Sequence, residues 1–427
     1  MNAHLRDVRM RGFAERSDVE DVERFLRAHT APLPAEAVAL LDCVGRVLAE
    51  DVVSTVNVPG FVRAAMDGYA VRGEDTFGAS AYDTIALRVL GQSLPGNPFR
   101  GQVDAGGAVR IMTGAPLPDG ADAVIMAEVC REAGGLVEVS EAVAPRRNVD
   151  EVGEDVARGQ LLLRTGRRLR PQDAGLLASI GRGVLTCVAR PRVQLLITGN
   201  ELLPPGAAPE GPHIVDSNSV VLSALVARDS GHLLPVCRLA DDRERIRAAL
   251  ASSEADVILV SGGSSVGMED FAPSLVAELG TLDVHGISMR PSSPTGIGRL
   301  PGDGGRERLV FLLPGNPVSC MCAYEFFAGP AIRALGGRPW SWPHARVRLP
   351  LARKIVSQVG RTDYVRVAIE GGRAVPLATS GASILSSTVR ADGAVIVERG
   401  LEGMPEGAEV EVLLYDEPGE TPASRER

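Results

Sequence analysis

Three short runs of apolar, largely branched residues, each ending in a loop of small and polar ones, limit what this chain can fold into. The runs are Val193–Ile197, Val257–Val260 and Leu309–Leu313. The loops are Thr198-Gly199-Asn200-Glu201, Ser261-Gly262-Gly263-Ser264-Ser265-Val266-Gly267 and Pro314-Gly315-Asn316-Pro317. Branched runs of this length read as strands buried on both faces, as in a parallel sheet covered by helices. Ligands of such sheets bind at the carboxyl ends of the strands. The three loops are therefore expected to meet around one ligand.

At 427 residues the chain is too long for one core, and two to four domains are expected. A net charge of -9 argues against general nucleic-acid binding, which needs a basic face. A small anion is still compatible, because backbone N–H groups can hold it locally. Lys354 is the only lysine, so a Walker-type or Schiff-base lysine in the glycine loops is excluded. The six cysteines are scattered without zinc-type pairing, which predicts reduced thiols and a cytoplasmic protein. No apolar run reaches the length of a membrane span. The N-terminal stretch has no secretory-type apolar segment.

Along the chain, 17–29 reads as a helix capped by Ser17 or Asp18, and Ala35 to Cys43 as another. Short runs between Gly, Pro and Asp clusters from about 52 to 143 predict an all-β region. From 190 to 333 strands alternate with helices, the signature of a doubly wound sheet. After Pro343 the texture is β again, and the last residues read as a frayed tail.

The serine–glycine loop suits an anion. Glycines bring N–H groups close to a ligand, and the following helix adds a positive N-terminus. The same pattern serves a plain strand-to-helix turn with capping serines. Pro314 to Pro317 is stiff and opens a helix, as a preformed pocket wall would. Glu201, Asp241, Asp242, Glu269 and Asp270 follow strands at the same edge. Acids beside an anion cradle point to a bridging cation such as Mg²⁺; acids at helix starts are the plainer reading. Arg290 at a strand end could pair with an anion.

Together these segments closely resemble the MoeA family, molybdopterin molybdenumtransferases related to the large domain of gephyrin. The resemblance rests on Gly45-Arg46-Val47-Leu48-Ala49-Glu50-Asp51-Val52, Ala65-Met66-Asp67-Gly68-Tyr69-Ala70, Ile111-Met112-Thr113-Gly114-Ala115-Pro116, Gly153-Glu154-Asp155, Thr198 to Leu202, Ser261 to Gly267 and Leu313 to Ser319, in that order. It implies a multidomain α/β and β fold: a three-layer α/β molybdopterin-binding domain with an inserted β domain and a C-terminal β-barrel. The corresponding bounds are an N-terminal helix at 1–28, a mixed α/β domain at 29–55 and 153–188, the inserted β domain at 56–152, the binding domain at 189–338, the barrel at 339–418 and a tail at 419–427. It also implies a reaction in which adenylylated molybdopterin and molybdate, with Mg²⁺, give molybdenum cofactor and AMP.

By matching position, the resemblance assigns Asp67, Thr113, Glu201, Asp241 or Asp242, and Asp270 to catalysis, with Glu201 and Asp270 on the metal. Ser261, Gly262, Gly263, Ser264, Ser265, Gly267, Arg290, Ser293, Pro314, Gly315, Asn316 and Pro317 fall to the pterin site. The expected partners are a second copy in a homodimer, a molybdopterin adenylyltransferase upstream and an apo-molybdoenzyme downstream, with no nucleic acid and no membrane.

The chain departs from the family at several places. Phe61-Val62-Arg63-Ala64 lacks the usual Asp and Ser, Asn200 replaces an Asp, and the Lys-Pro-Gly-Lys-Pro segment reads Arg290-Pro291-Ser292-Ser293-Pro294. An arginine common before Gly-Glu-Asp is also missing, at Asn148 to Val152. Each lost charge-assisted contact to an oxyanion is worth about 1.5–3 kcal/mol unless another arginine compensates. The alternative to a full enzyme is therefore a catalytically weak molybdopterin-binding carrier.

Overall fold

The structure is a computed structural model, described here for residues 16–263, 271–378 and 381–416. The chain divides into two compact units: 37–44 with 48–186, and the remainder.

The smaller unit is built on a six-stranded sheet. Its strands are β1 (Gly68–Val71), β2 (Ile85–Ser93), β3 (Gly107–Ile111), β4 (Ala123–Met126), β5 (Cys130–Ala133) and β6 (Leu136–Val139), in the order β4-β1-β3-β2-β6-β5. Alternation along β1 sends Tyr69 and Val71 into one apolar cluster and Ala70 into another, so both faces are covered. Gly68 is required by space, since a Cβ there would lie 1.9 Å from the Ile125 carbonyl oxygen. The predicted helix over Ala35 to Cys43 is not formed. Ala35–Ala39 is a strand, followed by a single 3-10 turn, Leu40–Asp42. Helix propensity loses here to long-range pairing, seen where Leu40 N–H donates to the Gly183 carbonyl at 2.9 Å.

The larger unit has a seven-stranded central sheet: β7 (Arg192–Thr198), β8 (His232–Leu233), β9 (Cys237–Leu239), β10 (Val257–Ser261), β11 (Thr281–His285), β12 (Gly296–Pro301) and β13 (Glu307–Leu313). The order is β8-β7-β10-β13-β12-β11, with β9 also on β7. β7, β8, β9, β10 and β13 are parallel; β12 and β11 add an antiparallel margin. β11 ends at His285, and β12 carries two glycines, Gly296 and Gly298. Those glycines allow close packing: a Cβ on Gly298 would lie 2.5 Å from the Thr281 carbonyl oxygen.

Both faces of the sheet are buried, which explains the continuous apolar runs. Val193, Leu195, Val257, Leu259, Leu309 and Phe311 face one layer, with Val22 and Leu26 of α1 (Val19–Ala28) and Leu222 and Val226 of α3 (Asn218–Arg228); α2 (Pro171–Ser179) belongs to the smaller unit. The opposite residues, Leu196, Ile258, Val260, Val310 and Leu312, pack on α4 (Arg243–Ser252) and α5 (Ala272–Leu279). After β13 the chain runs through α6 (Pro317–Ala323), a π turn at Tyr324–Ala328 and α7 (Gly329–Leu335). Strands β14 (Arg346–Pro350), β15 (Thr362–Glu370), β16 (Arg373–Ala378), β17 (Gly393–Val397) and β18 (Glu409–Leu414) then pair in the order β14-β18-β17-β15-β16. A parallel bridge between Leu351 and Ala374 joins the two ends and closes a small barrel.

Under the first layer lies a buried ionic cluster. Asp229 accepts from Arg333 Nη1 at 2.8 Å, Arg228 Nη2 at 2.8 Å and the Tyr324 hydroxyl at 3.0 Å. Arg228 also forks onto Glu325. Burial pushes the Glu325 carboxyl up, but the His344 ring and the Arg228 fork overcome this and hold it down at about 2. Asp229→Ala leaves the buried Arg333 charge uncompensated. The expected outcome is a loss of about 3–5 kcal/mol, read as a lowered midpoint in denaturant unfolding.

Candidate functional site

The carboxyl ends of β7, β10 and β13 converge. Gly262 has φ +97°, and a Cβ on it would lie 2.2 Å from the Thr198 carbonyl oxygen. A Cβ on Gly315 would lie 3.8 Å from the Gly262 Cα. Gly262 N–H donates to the Leu313 carbonyl at 3.3 Å. Asn218, buried at the start of α3, ties two of the loops together through one amide. Its Nδ2 donates to Ser261 Oγ at 2.9 Å and to the Gly315 carbonyl at 2.8 Å. Thr198 Oγ1 is buried with no hydrogen-bond partner among the described residues. Burial pushes the neighbouring Cys320 thiol up to about 12, so it is a packing group beside Ser261.

The acids at this edge separate by role. Asp242 caps α4, its carboxylate accepting from Arg245 N–H at 2.9 Å. Asp241 instead accepts from Asn200 N–H at 3.0 Å, while Asn200 Oδ1 accepts from Asp241 N–H at 3.2 Å. These reciprocal side-chain-to-backbone bonds tie the first loop to the stretch after β9. Glu201 is exposed, with its carboxylate over Gly199; a Cβ on Gly199 would lie 2.8 Å from Glu201 Oε2. Ser264, Ser265, Gly267 and Asp270 lie outside the described residues.

Asp67 and Thr113, 46 positions apart, are brought together in the smaller unit. One Asp67 oxygen accepts both the Thr113 N–H and hydroxyl, each at 2.7 Å. These two bonds, the backbone one first, hold the Asp67 carboxyl below the usual carboxylate range. Met66 and Met112 beside them are exposed.

A cavity of about 280 Å³ adjoins the third loop. Pro314, Asn316 and Ser319 line it with the 290–294 segment and Arg366. Arg290 does not stand as an isolated cation. Its guanidinium pairs with the buried Asp363, which also accepts from Ser357 Oγ at 2.8 Å. Ser292 sits at φ +85°, a region natural to the glycine it replaces. The left-handed conformation costs about 1–2 kcal/mol, and the Ser292 Oγ to Ser319 carbonyl bond at 2.6 Å returns about 1 kcal/mol. Ser293 Oγ is buried without a partner among the described residues.

Arg366, at 1% exposure, was missed by sequence reasoning. Burial pulls its ionisation down from the ordinary arginine value, yet an arginine stays charged at neutral pH. Its sequence signal is a lone charge inside the run Tyr364-Val365-Arg366-Val367.

These features define a multidomain protein with a three-layer α/β sheet, ligand loops at its carboxyl edge and a charged cavity alongside. Family models match three successive parts of the chain: "MoeA N-terminal region (domain I and II)" over 17–181, "Probable molybdopterin binding domain" over 194–334 and "MoeA C-terminal region (domain IV)" over 348–415. The molybdopterin molybdenumtransferase of Haemophilus influenzae is 35% identical over 78% of this chain and 81% of its own length. That of Bacillus subtilis is 32% identical over 90% of both. A crystal structure of the molybdopterin biosynthesis MoeA protein from Pyrococcus horikoshii superposes with a TM-score of 0.73 at 32% identity, covering 94% of this chain and all of the other. The chain belongs to the MoeA family.

Gly262→Ala tests the loop junction. The methyl group meets a backbone oxygen, and the positive φ is strained for any side chain. The variant is expected to lose about 1–3 kcal/mol of stability, read as a lowered midpoint in denaturant unfolding.

Proposed function

We propose that this chain is a molybdopterin molybdenumtransferase, which inserts molybdate into adenylylated molybdopterin to give molybdenum cofactor and AMP. One observation carries the reading. Pro314 and Asn316 belong both to the third loop and to the wall of the Arg366 cavity, so a phosphate-bearing ligand and a small oxyanion can lie side by side. Gly262 and Gly263, both at positive φ, let main-chain N–H groups approach the pterin phosphate without side-chain obstruction. Arg366 brings a positive charge to the cavity wall and Ser293 lines it alongside, which suits an oxyanion.

The exposed Glu201 carboxylate at the edge is compatible with Mg²⁺, which binds one or two carboxylates and completes its shell with water and phosphate oxygens. Glu201 and Asp270 are the residues that would hold it; when bound it neutralises charge on a phosphoanhydride. Asp67 remains a carboxylate well into the acid range, and Thr113 holds its orientation. In this reading the chain acts as a homodimer, after a molybdopterin adenylyltransferase and before an apo-molybdoenzyme, in the cytoplasm. Among the described residues no helix is long and apolar enough to cross a membrane.

The test is AMP release by the purified chain from adenylylated molybdopterin, molybdate and Mg²⁺. Release is expected at a rate comparable to a standard family member, with Asp67→Asn and Glu201→Gln each lowering kcat about a hundredfold or more. No AMP from the wild-type chain while the reference enzyme works rejects the reading.

The weak-carrier alternative draws on the pairing of Arg290 with Asp363, which commits the first of the two family cations to a buried acid. Ser293→Lys discriminates the two. If Arg366 suffices for the oxyanion, turnover rises less than about threefold; if the missing charge limits the protein, turnover rises tenfold or more, as about 1.5–3 kcal/mol implies.

A further inference from the structure

We infer that the opposite, amino-terminal edge of the central sheet carries a second anion site, for the phosphate group of a small molecule. A cavity of about 530 Å³ lies there, within the size range of small-ligand pockets. Arg192 opens β7 and lies in register with His232, which opens β8; Asp256 immediately precedes β10. Seven residues of β7 separate this edge from the Thr198 loop, about 23 Å of extended chain. The cavity is therefore distinct from the site described above.

Its charge is the reverse of the protein's. Among the described residues Arg46, Arg190, Arg192 and Arg306 line it against two carboxylates, Glu36 and Asp256, in a chain of net charge -9. Two of the guanidiniums are already engaged. Arg46 pairs with Glu36 and donates to the Val188 carbonyl at 2.9 Å. Arg192 is shared between Glu254 at 3.4 Å and Asp256 at 4.0 Å. Arg190, Arg306 and His232 are exposed, and their side chains have no hydrogen bond or ion pair among the described residues.

Isolated surface arginines are ordinary, but here they converge on a concavity, where the field of like charges is focused rather than dispersed into water. The planar guanidinium fork matches phosphate oxygens in pairs. Apart from His232, no aromatic ring among the described residues lines the cavity, which suits a phosphate group better than a stacked base.

The test is calorimetric titration of the full chain with glycerol 3-phosphate and with inorganic phosphate at fixed ionic strength. Hydrogen exchange locates the bound ligand. Binding is expected with slowed exchange in 189–193 and 302–308. The exposed double variant R190E/R306E is expected to fold normally and to bind about a hundredfold more weakly. Tighter binding of glycerol 3-phosphate assigns a phosphate monoester; equal binding assigns the bare anion. No binding, unchanged affinity in the double variant, or protection confined to 289–294 overturns the inference.

Discussion

The larger unit depends on one close approach. Gly262 passes so near the Thr198 carbonyl that no side chain fits between them, and the neighbouring loop after β13 closes on the same point. Asn218 pins that arrangement by spending both protons of one amide on Ser261 and Gly315. A buried amide that satisfies two loops at once makes the junction stiff, because loosening either loop strands a polar group. The loops are thus held by strand ends on one side and a helix start on the other, as ligand-binding loops on a rigid scaffold must be.

The altered cation segment shows how substitutions interlock. Arg290 pairs with buried Asp363, Ser292 accepts a glycine conformation by bonding the Ser319 carbonyl, and Ser293 lines a small cavity. Read as a string, this segment has merely lost a lysine. In three dimensions Arg366 arrives from the barrel to line the same cavity. The charge in that cavity is a property of two distant parts of the chain, and no local pattern around 290–294 contains it.

Much of the rest was legible. Short branched runs ending in small polar loops read as central strands, so β7, β10 and β13 and the meeting of their loops followed from the residue pattern. Ordered short motifs, seven of them, identified the family. Other elements resisted. Ala35–Ala39 has the residues of a helix and the pairing of a strand. β12 carries glycines in place of a branched apolar run, and they serve close packing. Asp241 and Asp242 are adjacent and chemically identical; only the hydrogen bonds to Asn200 and to the start of α4 tell them apart.

The sequence by itself determined the layered α/β class, the order of its strands' loops and the family, because burial on both faces and motif order are one-dimensional properties. The tertiary structure alone decided which charges meet. Asp67 reaches Thr113 across 46 residues, Arg290 reaches Asp363 across 73, and Arg366 shares a cavity with Ser293. Electrostatic partners are set by distance in space, and distance in space is what a linear pattern of residue types leaves open.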